Sequence, residues 1–136
     1  MKRDYWPQKW MVRITNSNLS EDNKEVLLNF MQHVDDYIHT DIAPVLSVLN
    51  AIKDINLKHL DHDDLLSIFK WFYETKWIYT STTAVSVKFQ IARFLDFVDK
   101  TYSLGLNPKK EFSEFMKKKK IEEIKSLAGG LSYGTN

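Results

Sequence analysis

A chain of 136 residues, 43% hydrophobic and 27% charged, has the balance of a globular domain with its own core, not of a disordered segment. Its formal net charge of +1 gives no bulk attraction to nucleic acid, and the absence of cysteine excludes a disulfide framework, a thiolate zinc site and a cysteine nucleophile. No apolar run approaches the length of a membrane span, and no apolar h-region follows Met1-Lys2-Arg3, so a cytoplasmic location is expected.

Residues 4–15 place Trp6, Trp10 and Ile14 at i, i+4 and i+8, predicting a short amphipathic helix with Pro7 in its first turn. Lys2, Arg3, Lys9 and Arg13 decorate it. Two readings are open: a helix docking on the outside of a bundle, or a basic-aromatic arm that touches nucleic acid. The first is preferred, because paired aromatics usually pack inward. After a turn at 16–19, Ser20 is the expected N-cap of a second helix, with Glu21 and Asp22 in its first turn. Val26, Leu27, Phe30, Met31, Val34 and Ile38 make its stripe, and its end is expected near Tyr37 or Ile38.

A third helix is predicted from Thr40 or Asp41, with Pro44 in its first turn. Ile42, Val45, Leu46, Leu49 and Ile52 face inward; Asn50, Lys53 and Asp54 face out. Residues 55–60 form a connection. Asp61 then caps a fourth helix whose core face is Leu65, Ile68, Phe69 and Phe72, with aromatic bulk from Trp71 and Trp77. The longest helix runs from about Thr80 to Tyr102, with Thr80 among its candidate caps and Val87, Ile91, Phe94, Leu95 and Val98 on one stripe. Leu104-Gly105 is expected to stop it through a left-handed glycine, and Asn107-Pro108 to prevent resumption.

A last helix-like segment covers 109–127, with Phe112, Phe115 and Met116 apolar at i, i+3 and i+4 and Ile121, Ile124 and Leu127 beyond. Lys117 to Lys120 interrupt the pattern, and Gly129-Gly130 is expected to end it. Seven Lys and Arg against four Asp and Glu make 107–136 the only basic stretch, at +3. The expected fold is all-α: a compact bundle of four main helices, a short N-terminal helix and a C-terminal helical tail. The expected division is an arm over 1–18, a four-helix domain over 19–108, and a lysine-rich tail or linker remnant over 109–136.

Nothing in this pattern points to catalysis. His33, Asp36 and His39 turn too far round a helix for both rings to meet one ion, and the group His59, Asp61, His62, Asp63 and Asp64 is explained by capping and the helix dipole. There is no glycine-rich phosphate loop and no Ser/His/Asp grouping. No metal and no cofactor are expected.

Four phrases in order resemble one known module. They are NLSEDNKEVLLNFMQHV, LSVLNAIKDI, LDHDDLLSIFKWF, and YTSTTAVSVKFQIARFLDFV with its closing Asn107-Pro108. Together they resemble the N-terminal core-binding domain of tyrosine recombinases, the phage-integrase superfamily, and its archaeal integrase-like branch in particular. In the fourth phrase Thr80 stands where that family has Ser, while Thr83, Lys88 and Phe94 fall on its Thr, Lys and Phe. The resemblance covers about two-thirds of the chain. It implies a four-helix module that clamps one face of double-stranded DNA, with the helices starting near Thr40 and Thr80 toward the duplex. Asp41, Pro44 and Val45 replace the Thr and basic-aromatic pair that the family carries in the first of these. The family's Arg…His-x-x-Arg…Tyr apparatus would lie beyond Pro108, where only the lysine-rich tail stands. The resemblance therefore implies a DNA-binding module without catalysis, in an excised domain, a truncated reading frame or a free-standing relative.

The candidate DNA-binding residues are Ser81, Thr82, Thr83 and Lys88. Ser81 and Lys88 are seven residues apart on the face opposite the apolar stripe, and Thr82 and Thr83 lie beside them at the helix start. Lys53 and Lys76 are weaker flanking candidates. The alternative is a helical interaction module from a mobile element, which pairs with a second copy or with a recombinase through the tail.

Overall fold

The computed structural model describes the backbone of residues 2–33, 38–53 and 55–135, and the side chains of 8–33, 42–53 and 55–128. The chain is all-helical: α1 (Lys2–Thr15), α2 (Glu21–His33), α3 (Ile38–Ala51), α4 (His62–Thr75), α5 (Ser81–Thr101) and α6 (Pro108–Thr135). Two 3-10 turns, Leu57–His59 and Lys76–Ile78, sit on either side of α4. Among the described residues there is no strand.

Local chemistry sets the starts. The Ser20 hydroxyl accepts the Asn23 N–H at 3.2 Å and opens α2. Asp61 and Asp64 form a reciprocal capping box on α4: each carboxylate accepts the other residue's N–H, at 2.8 and 3.1 Å. Thr80 caps α5 by accepting the Thr83 N–H at 3.2 Å.

The predicted stripes meet in one core. Val26, Leu27 and Phe30 of α2, Ile42, Val45, Val48 and Leu49 of α3, Leu65, Ile68, Phe69 and Phe72 of α4, and Val87, Ile91, Phe94, Leu95 and Val98 of α5 are all buried. Phe30 meets Phe94 edge-on at 5.0 Å. The most extensive helix pairing is α3 against α5, followed by α5 against α6, while α1 lies on α2 and α3. Trp10 and Ile14 are buried, so α1 supplies core rather than packing on the outside. Phe112 of α6 belongs to the same core, stacked 4.5 Å from Phe69 and edge-on to Phe72 at 5.5 Å.

Several boundaries differ from expectation. Helix α1 begins at Lys2 and α3 at Ile38, so Pro7 and Pro44 fall in second turns, where each removes one i→i−4 hydrogen bond. Helix α2 is described to His33; the expected end near Tyr37, together with the side chains of Trp6, Val34, Asp36, Ile38, His39, Asp41 and Asp54, lies outside the described residues. The left-handed residue that closes α5 is Ser103, with φ 53°, not Gly105. The Leu104 N–H reaches back to the Asp99 carbonyl at 3.0 Å, a Schellman closure, and Gly105 takes a second positive φ of 69° inside the loop. Asn107-Pro108 starts α6 rather than blocking a helix, because proline suits a first helical position. The helix also continues through Gly129-Gly130 to Thr135, since glycine disfavours a helix without forbidding it.

The 55–60 connection is part of the core: Ile55, Leu57 and Leu60 are buried. The Asn23 side chain, 3% exposed, bridges to it, donating to the Ile55 carbonyl at 2.7 Å and accepting the Leu57 N–H at 2.9 Å.

Candidate nucleic-acid interface

The start of α5 separates two hollows. On one side, the 3-10 turn Lys76–Ile78, the first turns of α5 and the first half of α6 enclose a cleft. One part, of about 290 Å³, is lined by Lys76, Trp77, Tyr79, Ser81, Val85 and Lys88 among others. A second part, of about 380 Å³, is lined by Tyr73, Ser113, Lys117, Lys120 and Glu123. Lys76, Lys88 and Met116 border both, so the two parts form one continuous cleft.

Four lysines, Lys76, Lys88, Lys117 and Lys120, line this cleft from three elements. Among the described residues none of the four forms an ion pair. Glu123 is the one carboxylate lining the cleft. It accepts the Tyr73 hydroxyl. That hydrogen bond raises the Tyr73 pKa above its ordinary value, with desolvation and the neighbouring carboxylates adding to the effect. The cleft is therefore biased toward anions although the whole chain is nearly neutral.

On the other side of α5, a groove against α3 is lined by Ala43, Pro44, Ser47, Thr82, Thr83, Ser86 and Gln90, with Tyr79 shared between the two hollows. It is rich in hydroxyls and holds no lysine.

The six candidate residues thus divide. Ser81, Lys88 and Lys76 meet in the basic cleft. Thr82 and Thr83 line the α3–α5 groove instead, and the Thr83 hydroxyl pairs with that of Thr80 at 2.9 Å. Lys53 follows the C-terminal end of α3, whereas it is the N-terminal half of α3 that borders the start of α5; Lys53 lines neither hollow. Lys117 and Lys120 were not among the six. Their signal is helical spacing: Ser113, Lys117, Lys120 and Glu123 recur every three or four residues beside the Phe112/Phe115/Met116 stripe, so docking that stripe brings them to the cleft.

Trp77 also departs from expectation. It is 69% exposed and stands outside the core: it lies in the 3-10 turn after Thr75, five residues past Phe72, a spacing that is off the Leu65/Phe69/Phe72 face of α4 even in an unbroken helix. Among the described residues, no group of three or more His, Asp or Glu side chains is placed to hold a metal ion, and no helix is long and apolar enough to cross a membrane.

No protein-family model, no curated protein and no solved structure matches this chain.

Proposed function

We propose that this chain is a duplex-DNA-binding module of the tyrosine-recombinase kind, contributing to recombination or integration in the cytoplasm without catalysing strand exchange itself. The observation that supports it is the convergence of Lys76, Lys88, Lys117 and Lys120 on a cleft with a single carboxylate, which is already hydrogen-bonded. Uncompensated ammonium groups drawn from several elements suit a phosphate backbone, where affinity comes from counterion release. The ordered helical resemblance supplies the recombinase side of the reading. Charge moves the binding surface from the α3–α5 groove to the α5–α6 side, since phosphates are held where the lysines stand.

The test is binding of the full chain to a fluorescent duplex at several salt concentrations. Affinity falling with salt, at a log–log slope of roughly −3 to −4 for four phosphate contacts, is expected. Absence of salt-dependent binding overturns the proposal. A second reading, self-association through α6, draws on Ile121, Ile124 and Leu127, which recur every three residues and are exposed. A sedimentation mass of two chains that reverts to one on Ile124→Ser would favour it.

A further inference from the structure

Rings and ammonium groups alternate in a row that runs from α6 to the basic cleft, which its last three members, Tyr73, Lys76 and Trp77, line. Lys119 Nζ lies 5.7 Å from the Phe115 ring centroid and 5.5 Å from that of Tyr73. Lys76 Nζ lies 4.7 Å from the Tyr73 centroid and 4.6 Å from that of Trp77. The series Phe115, Lys119, Tyr73, Lys76, Trp77 therefore ends on an indole whose outer surface is open to solvent. The backbone beneath that indole is fixed, because the Tyr79 N–H closes the turn on the Lys76 carbonyl at 3.1 Å. Ile78, 78% exposed, stands next to it.

A large aromatic left in water beside Lys76 and Lys88, neither of which is in an ion pair among the described residues, calls for a ligand that is flat and apolar on its faces and anionic along its edge. A nucleic-acid strand has this character: bases stack on aromatic rings while phosphates meet ammonium groups. In an intact duplex each base face is already covered by its neighbours. Only a base freed from its stack can lie on Trp77.

We infer that Trp77 is a stacking platform for one unpaired base of DNA whose flanking phosphates are held by Lys76 and Lys88. The inference rests on the proposed duplex binding and adds a preference to it: a duplex interrupted by a short single-stranded gap is bound more tightly than the same duplex intact.

Competition of gapped against intact duplex for the full chain tests this. The wild-type chain is expected to favour the gapped duplex about tenfold, the scale of one base–aromatic stack. Trp77→Ala is expected to abolish the preference, lowering affinity for gapped duplex far more than affinity for intact duplex, and Trp77→Phe to keep most of it. Lys88→Ala is expected to weaken both duplexes alike. Trp77 is exposed, so an unchanged melting temperature in the variants separates loss of stacking from loss of fold. Equal, salt-dependent affinity for the two duplexes overturns this inference and leaves phosphate binding standing. No binding to either overturns the proposed function first and this inference with it. Self-association that Trp77→Ala abolishes would assign the ring to a second copy and overturn it as well.

Discussion

The side chain of Asn23 treats Leu57 as one strand treats another: its amide oxygen accepts the Leu57 N–H at 2.9 Å while its NH₂ donates to the Ile55 carbonyl two residues earlier, at 2.7 Å. Both bonds are buried, so the pair stitches the 55–60 connection to the first turn of α2. Replacing Asn23 with Leu strands a donor and an acceptor away from water. We expect a loss of roughly 2–4 kcal/mol in urea unfolding, more than an average single substitution costs. A loss under 1 kcal/mol would mean that water reaches the connection.

Phe112 is the residue that latches α6 to the bundle. Phe112→Ala removes a ring buried against Phe69 and Phe72 and is expected to cost about 3–5 kcal/mol, as is Phe94→Ala at the centre of the core. Ile124→Ala, on the exposed part of the same helix, is expected to stay within about 0.5 kcal/mol. Chemical denaturation of the three variants side by side checks the contrast.

Lys88→Ala is expected to weaken duplex binding similarly for all sequences and to reduce the salt slope by about one unit, as loss of one phosphate contact does. Lys53→Ala, outside the cleft, is expected to leave the slope unchanged. If Lys88→Ala instead relaxed preference at a single base position, that ammonium reads a base edge.

The Tyr73 hydroxyl donates to the Glu123 carboxylate, and its pKa is raised above the ordinary 10.0. A group whose folded pKa exceeds its unfolded one stabilises the fold fully below the unfolded value. That stability is lost as pH rises through the folded value. The share of the α4–α6 contact that this bond supplies should therefore be lost in alkali, above about pH 10, while the Phe112 packing stays. In an absorbance titration at tyrosinate wavelengths, one tyrosine should ionise late. Glu123→Gln should bring it back toward the ordinary value; no change on that substitution would show the bond is not made in solution.

What the sequence announced was what short-range chemistry decides. Ser20, Asp61 and Thr80 cap because a hydroxyl or carboxylate needs only the next turn to find its N–H, and the Val87 to Val98 stripe needs only helical spacing. The loop after α5 was less legible, because a distant carboxylate shapes it. Asp99 accepts the N–H groups of Leu106 and Asn107 at 2.8 and 3.2 Å, and the turn is completed at Ser103 before Gly105 is reached. Trp77 misled for a different reason: aromatic character was read as bulk for the core, although its spacing of five from Phe72 already puts it off the buried face of α4. Lys117 and Lys120 sit in a run of four lysines that reads from sequence as solvated, adding at most non-specific phosphate affinity. Only the docking of Phe112 selects which two of them face the cleft.

Helix α6 spans 28 residues, a rod of about 42 Å, yet its fully buried anchor lies within its first two turns and Ile121, Ile124 and Leu127 are exposed. Its backbone amides should therefore exchange with deuterium on two clocks. Those around Phe112 should open only with the whole bundle, on the slowest timescale of the molecule. Those from Lys125 to Ala128, beyond the Tyr73–Glu123 bond, should open by local fraying, orders of magnitude sooner and with no effect on the core. Trypsin acting on the native chain should accordingly cut after Lys125 long before it cuts after Lys110, leaving a shortened protein that still melts as one unit.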